Sequence, residues 1–174
     1  MHRIRSCVLA LAASLATIPF AWAQDRPPQG GQPVAFESVQ PGGASVALRG
    51  ALYKPEGPAK GAVVLMHGSS GWSDAREGQY GRQFSAAGFT VLAVDSFGPR
   101  GIGGTAEDQT KLGVTDQARD AFAARKYLVS VGAAPERLAV MGFSRGAMVA
   151  LRAADRTWLP SETERFALAI PFYP

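Results

Sequence analysis

The sequence predicts an α/β protein: a mostly parallel sheet flanked by helices, with an antiparallel strand pair in front. Three observations carry that prediction. Continuous apolar runs of strand length recur at Gly61-Ala-Val-Val-Leu-Met66, Phe89-Thr-Val-Leu-Ala-Val94 and Leu138-Ala-Val-Met141, the composition of strands buried on both faces. Segments of helical period separate them. Ahead of them, Val34 to Val39 and Val46 to Tyr53 alternate apolar and polar residues around Pro41-Gly-Gly43, as two antiparallel strands joined by a turn do. At 174 residues, 47% apolar and 18% charged, the chain suits one folded domain and excludes a disordered one.

Residues 1–23 stand apart from that domain. Arg3 and Arg5 precede a short apolar stretch from Cys7 to Trp22, and Ala21-Trp-Ala23 supplies a small-residue cleavage site, so the segment reads as a secretory signal peptide. A membrane anchor is the alternative, but the run is short and Pro19 interrupts it. Residues 24–33 are polar and rich in Pro and Gly, which reads as a flexible linker with no stable structure. Residues 34–174 then form the domain.

Within it, the strand ending at Met66 gives way to His67-Gly-Ser-Ser-Gly71. A helix is predicted over roughly Ala75 to Ala87, with Tyr80, Phe84 and Ala87 on one face and Gly88 at its end, although Gly78 and Gly81 weaken it. The next strand closes at Asp95, and a Gly-rich loop follows, Ser96-Phe-Gly-Pro-Arg100-Gly-Ile-Gly-Gly104. It lacks the G-x-G-x-x-G spacing and implies no phosphate site. Thr115 is positioned to cap a helix running to about Val131, stopped by Gly132. Asp116, Arg119 and Asp120 read as its solvated face. A helix after Ser144 runs to about Ala154, and Phe166 to Ile170 is a final short apolar strand.

Charge and composition exclude several functions. Without Arg3 and Arg5, 16 basic residues face 14 acidic ones, with no Lys/Arg block to suggest nucleic acid. After signal cleavage no membrane span is expected. Cys7 is the only cysteine, so the mature domain has neither disulfide nor thiol chemistry. No His/Cys/Asp cluster has metal-ligand spacing, and neither metal nor cofactor is implied.

The chemistry concentrates in Leu138-Ala-Val-Met-Gly142-Phe-Ser144-Arg-Gly146-Ala-Met-Val-Ala-Leu151. This is a G-x-S-x-G sequence with a strand before it and a helix after it. A serine lifted onto so sharp a turn needs a strained backbone, and glycines on either side remove side chains that would collide there. The helix aims free N–H groups and a positive dipole end at whatever lies above Ser144, so the N–H of Arg145 is a natural oxyanion donor. An ordinary Gly-rich turn with a serine N-cap is the plainer alternative.

With these residues in place the chain resembles an α/β-hydrolase, and more narrowly the dienelactone hydrolase family. The resemblance rests on Val63-Val-Leu-Met-His67-Gly68-Ser-Ser-Gly71, on Gly88-Phe-Thr-Val-Leu-Ala-Val-Asp95-Ser-Phe-Gly-Pro-Arg-Gly101, and on Gly142-Phe-Ser144-Arg-Gly146, and it covers about residues 34–174. It implies Ser144 as nucleophile, with the N–H groups of Ser69 and Arg145 as oxyanion donors. His67, Gly68, Gly142, Gly146 and Asp95 would be structural residues at the site, Asp95 shaping the loop that follows it. The chain departs from the family's namesakes, which carry a cysteine where Ser144 stands. That favours a general ester or lactone substrate.

A serine hydroxyl needs a base to take its proton. The family order is Ser, Asp, His, yet no histidine follows Ser144. His2 leaves with the signal, and His67 is either a base or a residue that orients the oxyanion loop. The simplest account makes the chain the N-terminal portion of a longer hydrolase, with the C-terminal part of the fold missing and the acid and base beyond Pro174. The rival is a non-catalytic binding or scaffold protein of the same fold. Arg100 and Arg145 each read either as a fork for a substrate carboxylate or as a solvated surface arginine. Trp72 reads as a pocket wall or as a packing residue.

Overall fold

The computed structural model describes residues 28–158 and 164–174. The signal segment and the first residues of the linker lie outside them. Six strands form one sheet: β1 (Gln32–Val39), β2 (Ser45–Tyr53), β3 (Ala62–Met66), β4 (Thr90–Asp95), β5 (Leu138–Phe143) and β6 (Leu168–Phe172). Their spatial order is β1-β2-β4-β3-β5-β6. β1 pairs antiparallel with β2 and β2 antiparallel with β4, while β4, β3, β5 and β6 run parallel. The predicted mixed sheet with an antiparallel pair in front is the observed one.

The faces of the sheet explain the apolar runs. On one face Val64, Met66, Leu92, Val94, Leu138 and Val140 pack under α2 (Val114–Ser130) and α3 (Arg145–Ala154). On the other, Val63, Leu65, Val91, Ala93 and Met141 meet Tyr80 and Phe84 of α1 (Gln79–Ala86). Alternate residues of β3 and β4 thus point into two different cores, which no alternating polar pattern would permit. Val64, Leu65, Val91 and Leu92 are all fully buried, each stabilising the fold by about 1.5–3 kcal/mol relative to exposure.

Helix ends follow from glycine. Gly88 and Gly132 adopt φ of 97° and 101°, and the amides just beyond them, on Phe89 and Ala133, return to the carbonyls of Phe84 and Leu128. Thr115 is not the cap of α2: Gly113 occupies that position and Val114 opens the helix. The helix predicted from Ala75 begins instead with a π-helical turn over Asp74–Gly78. Gly81 is there because Tyr53 needs the room; a Cβ on it would lie 2.4 Å from the Tyr53 ring.

Two expectations about exposure are corrected. The described part of the 24–33 segment is not a free linker: the Gln29 N–H donates to Asp74, Arg82 donates to the Gln29 carbonyl, and β1 starts at Gln32. Nor is Asp120 solvated. It is fully buried and accepts from Ser38 and Arg100, so α2 carries a polar anchor on its inner face while Asp116 and Arg119 pair on the outer one.

Among the described residues β6 pairs with β5 only, and Leu168 and Phe172 on it are 56% and 40% exposed.

Candidate active site

Parallel strands bring their carboxyl ends to one edge of a sheet, and the loops that leave there converge. β3 and β5 are neighbours, with Met66 opposite Gly142, so the loop after His67 and the turn at Ser144 emerge side by side. Gly68 touches the turn; a Cβ on it would sit 3.2 Å from the Phe143 carbonyl and 3.6 Å from Ser144 Cβ.

Ser144 has φ 52° and ψ −119°, a region that a residue with a side chain avoids. Such a conformation costs about 1–3 kcal/mol and persists only where its surroundings hold it. The Ser144 N–H donates to the Phe172 carbonyl at 2.9 Å, and its own carbonyl accepts from Ala147 and Met148 in the first turn of α3. Gly142 and Gly146 make the turn sterically feasible. A Cβ on Gly142 would lie 2.2 Å from the Gly146 carbonyl oxygen, and one on Gly146 would lie 2.3 Å from that of Met66. Ser144 itself is exposed and stands at the N-cap of α3, where its side chain makes no capping hydrogen bond.

Arg145 is the first residue of α3, so its N–H has no helical acceptor. No described residue accepts the N–H of Ser69, whose carbonyl takes the Thr105 N–H at 2.8 Å. Two N–H groups without a described acceptor thus lie in the segments that follow β3 and β5.

His67 is fully buried and spends both ring nitrogens on backbone. Nδ1 donates to the Gly68 carbonyl at 2.8 Å, and Nε2 accepts the Ser96 N–H at 3.1 Å. Those partners fix a neutral tautomer, and burial pushes the imidazole below its ordinary pKa. No lone pair is left to take a proton from Ser144. His67 ties the oxyanion loop to the loop after β4, and its reading as a base is withdrawn.

Asp95 accepts from the N–H groups of Phe97 and Gly98 and pairs with Arg49 Nε at 2.8 Å, which shapes residues 96–101. Both arginine readings are corrected. Arg100 is neither open to a substrate nor solvated. Its fork grips Asp120 at 2.8 and 2.9 Å and the Ser96 carbonyl at 2.6 Å. The Arg145 side chain is likewise buried, donating to Gln117 Oε1 at 2.9 Å and to Gln109 Oε1 and the Leu112 carbonyl. Burial lowers the pKa of that guanidinium. Trp72 is 9% exposed and belongs to the same buried cluster as Val63 and Leu65.

The sequence reading missed three residues. Gln117 is fully buried and donates from Nε2 to the His67 carbonyl at 3.2 Å. A sequence signal for it existed: it shares the helical period of Ala121 and Leu128, a polar side chain at a core position. Gln109 donates to Ser69 Oγ at 3.2 Å from a loop with no pattern to mark it. Glu77, also fully buried, accepts the Ser73 N–H at 2.8 Å and pairs with Arg76, which in turn donates to the Gly71 carbonyl. Together with Arg76 they hold the segment from His67 to Ser73. Among the described residues no group of three or more His, Cys, Asp or Glu is placed to hold a metal, and no helix is long and apolar enough to cross a membrane.

A family model described as the dienelactone hydrolase family matches residues 48–174. No curated protein matches. Among solved structures, the α/β-hydrolase GrgF from Penicillium sp. sh18 is 22% identical with a TM-score of 0.56, over 74% of this chain and 43% of its own. Esterase 2 from Thermogutta terrifontis is 20% identical with a TM-score of 0.56, over 81% and 54%. A dienelactone hydrolase-like promiscuous phosphotriesterase from metagenomic libraries is 19% identical with a TM-score of 0.50, over 72% and 54%. The chain spans about half the length of these structures.

Proposed function

The chain belongs to the dienelactone hydrolase family, and on that premise we propose that it is an exported serine hydrolase acting on a small carboxylic ester or lactone. One observation carries the proposal: Ser144 is exposed and held at φ 52° on a glycine-framed turn immediately before the first residue of α3. A non-glycine residue kept in that region is strain the fold supports at a place where chemistry uses it.

In this mechanism Ser144 Oγ attacks the substrate carbonyl as a base removes its proton. The carbonyl oxygen becomes an oxyanion that accepts from the N–H groups of Ser69 and Arg145, and collapse expels the alcohol as the base returns the proton. Water then repeats the sequence on the acyl-Ser144 ester and frees the acid. In a lactone the expelled alcohol stays attached to the product. His67 is engaged elsewhere, so the proposal takes the acid and the base from sequence that follows Pro174. Export rests on the character of residues 1–23.

The commitment of both His67 nitrogens also favours a second reading, a non-catalytic protein that keeps the fold to bind a ligand. A fluorophosphonate probe on the complete protein separates the two. Labelling that disappears in Ser144→Ala supports the hydrolase; an unlabelled complete protein supports the binding protein.

A further inference from the structure

Arg145 faces two ways. Its backbone N–H, at the first position of α3, is the proposed oxyanion donor, and its side chain turns into the protein, where Nε, Nη1 and Nη2 each have a partner. Two of those partners are side-chain amides, and each amide uses its other end on the segment that carries Ser69. Gln117 accepts from Arg145 through Oε1 and donates from Nε2 to the His67 carbonyl at 3.2 Å. Gln109 accepts from Arg145 through Oε1 and donates from Nε2 to Ser69 Oγ at 3.2 Å. A primary amide offers one acceptor and one donor group on opposite sides, so it spans two backbone segments with a fixed separation.

We propose that Gln109 and Gln117 are positioning residues, two amide bridges that act through the Arg145 guanidinium to set the spacing between the Ser69 and Arg145 N–H groups. The inference rests on the serine hydrolase reading. Oxyanion donors work only within a narrow range of distance from the oxygen they stabilise, so a small relaxation of one loop away from the other lowers turnover without weakening ground-state binding. Gln117 is the stronger bridge because it is fully buried, where an unsatisfied amide or guanidinium is costly to leave. Gln109 is exposed at the start of the short 3-10 turn Gln109–Lys111, so its replacement disturbs the fold less than that of Gln117.

The test compares the complete wild-type protein with Gln117→Glu and Gln109→Ala. A glutamate keeps the acceptor for Arg145 and loses the donor to the His67 carbonyl; alanine removes the outer bridge altogether. For p-nitrophenyl acetate, Gln117→Glu is expected to lower kcat roughly tenfold with KM unchanged, and to raise the Ki of a trifluoromethyl ketone, which needs the same donors, in proportion. Gln109→Ala moves both in the same direction by less, at an unchanged Tm. Unaltered kcat and Ki in both variants, or losses that simply follow Tm, would overturn the proposal and leave the glutamines as fasteners of the loop. If Gln117→Glu does not fold, Gln109→Ala decides alone. If the wild type neither turns over the ester nor reacts with a fluorophosphonate, the hydrolase reading has failed, and this inference with it.

Discussion

Gly142 and Gly146 close on each other across the Ser144 turn so tightly that a methyl group on Gly142 would meet the Gly146 carbonyl oxygen at 2.2 Å. The obstacle is backbone, not a side chain that could swing away. Gly142→Ala is therefore expected to cost about 3 kcal/mol or more. Urea unfolding checks this, and a loss well under about 1 kcal/mol would mean that the turn relaxes with ease.

Arg100 and Asp120 form a buried pair, with side chains 12% and 0% exposed. Removing one member leaves the other charged and unsolvated, so Arg100→Ala is expected to destabilise the protein by roughly 3–5 kcal/mol. Its ratio of acidic-ester to neutral-ester hydrolysis should stay as in the wild type. A selective loss of acidic esters would restore the arginine to the substrate site.

His67 contributes a pH dependence whose sign is fixed by burial. Its folded pKa lies below the ordinary 6.5, so between those two values the unfolded chain binds the extra proton. Stability from this residue is present above about pH 6.5 and falls as the pH drops through that value. Tm measured from pH 8 to pH 5 should decline more steeply in the wild type than in His67→Gln. Parallel curves would show that the imidazole is not held neutral.

Tyr53 gives the opposite limb. Burial, followed by the Asp74 carboxylate, pushes its phenol from 10.0 up to about 12. The unfolded chain loses that proton first, so this contribution is intact below pH 10 and disappears as the pH rises toward 12. Ultraviolet titration should resolve one late-ionising tyrosine that is absent in Tyr53→Phe. Normal ionisation of every tyrosine would count against its burial between Gly31 and Gly81.

The layers were legible in the sequence for a physical reason. Burial on two faces erases polar residues from β3, β4 and β5, and Gly88 and Gly132 mark helix ends through backbone geometry that is local. The turn at Ser144 was legible for the same reason, because its requirements fall within five consecutive residues. Arg100, Arg145 and Asp120 were misread because their partners are distant. Arg100 meets Asp120 twenty positions away and Arg145 meets Gln109 thirty-six away, and a charged residue in a loop or on a helix looks solvated until its partner is known. Gln109 carried no pattern at all, since loop residues are placed by the contacts they make.

The amide of Ser144 is held by the carbonyl of Phe172, the last residue of β6, and not by a residue of its own strand or helix. Deuterium uptake at the Ser144 amide should therefore report the opening of β6, which holds its only acceptor among the described residues. The position of Ser144 is then coupled to the seating of β6: a change that displaces that strand would shift the serine's backbone while the β3–β4 pairing stays intact.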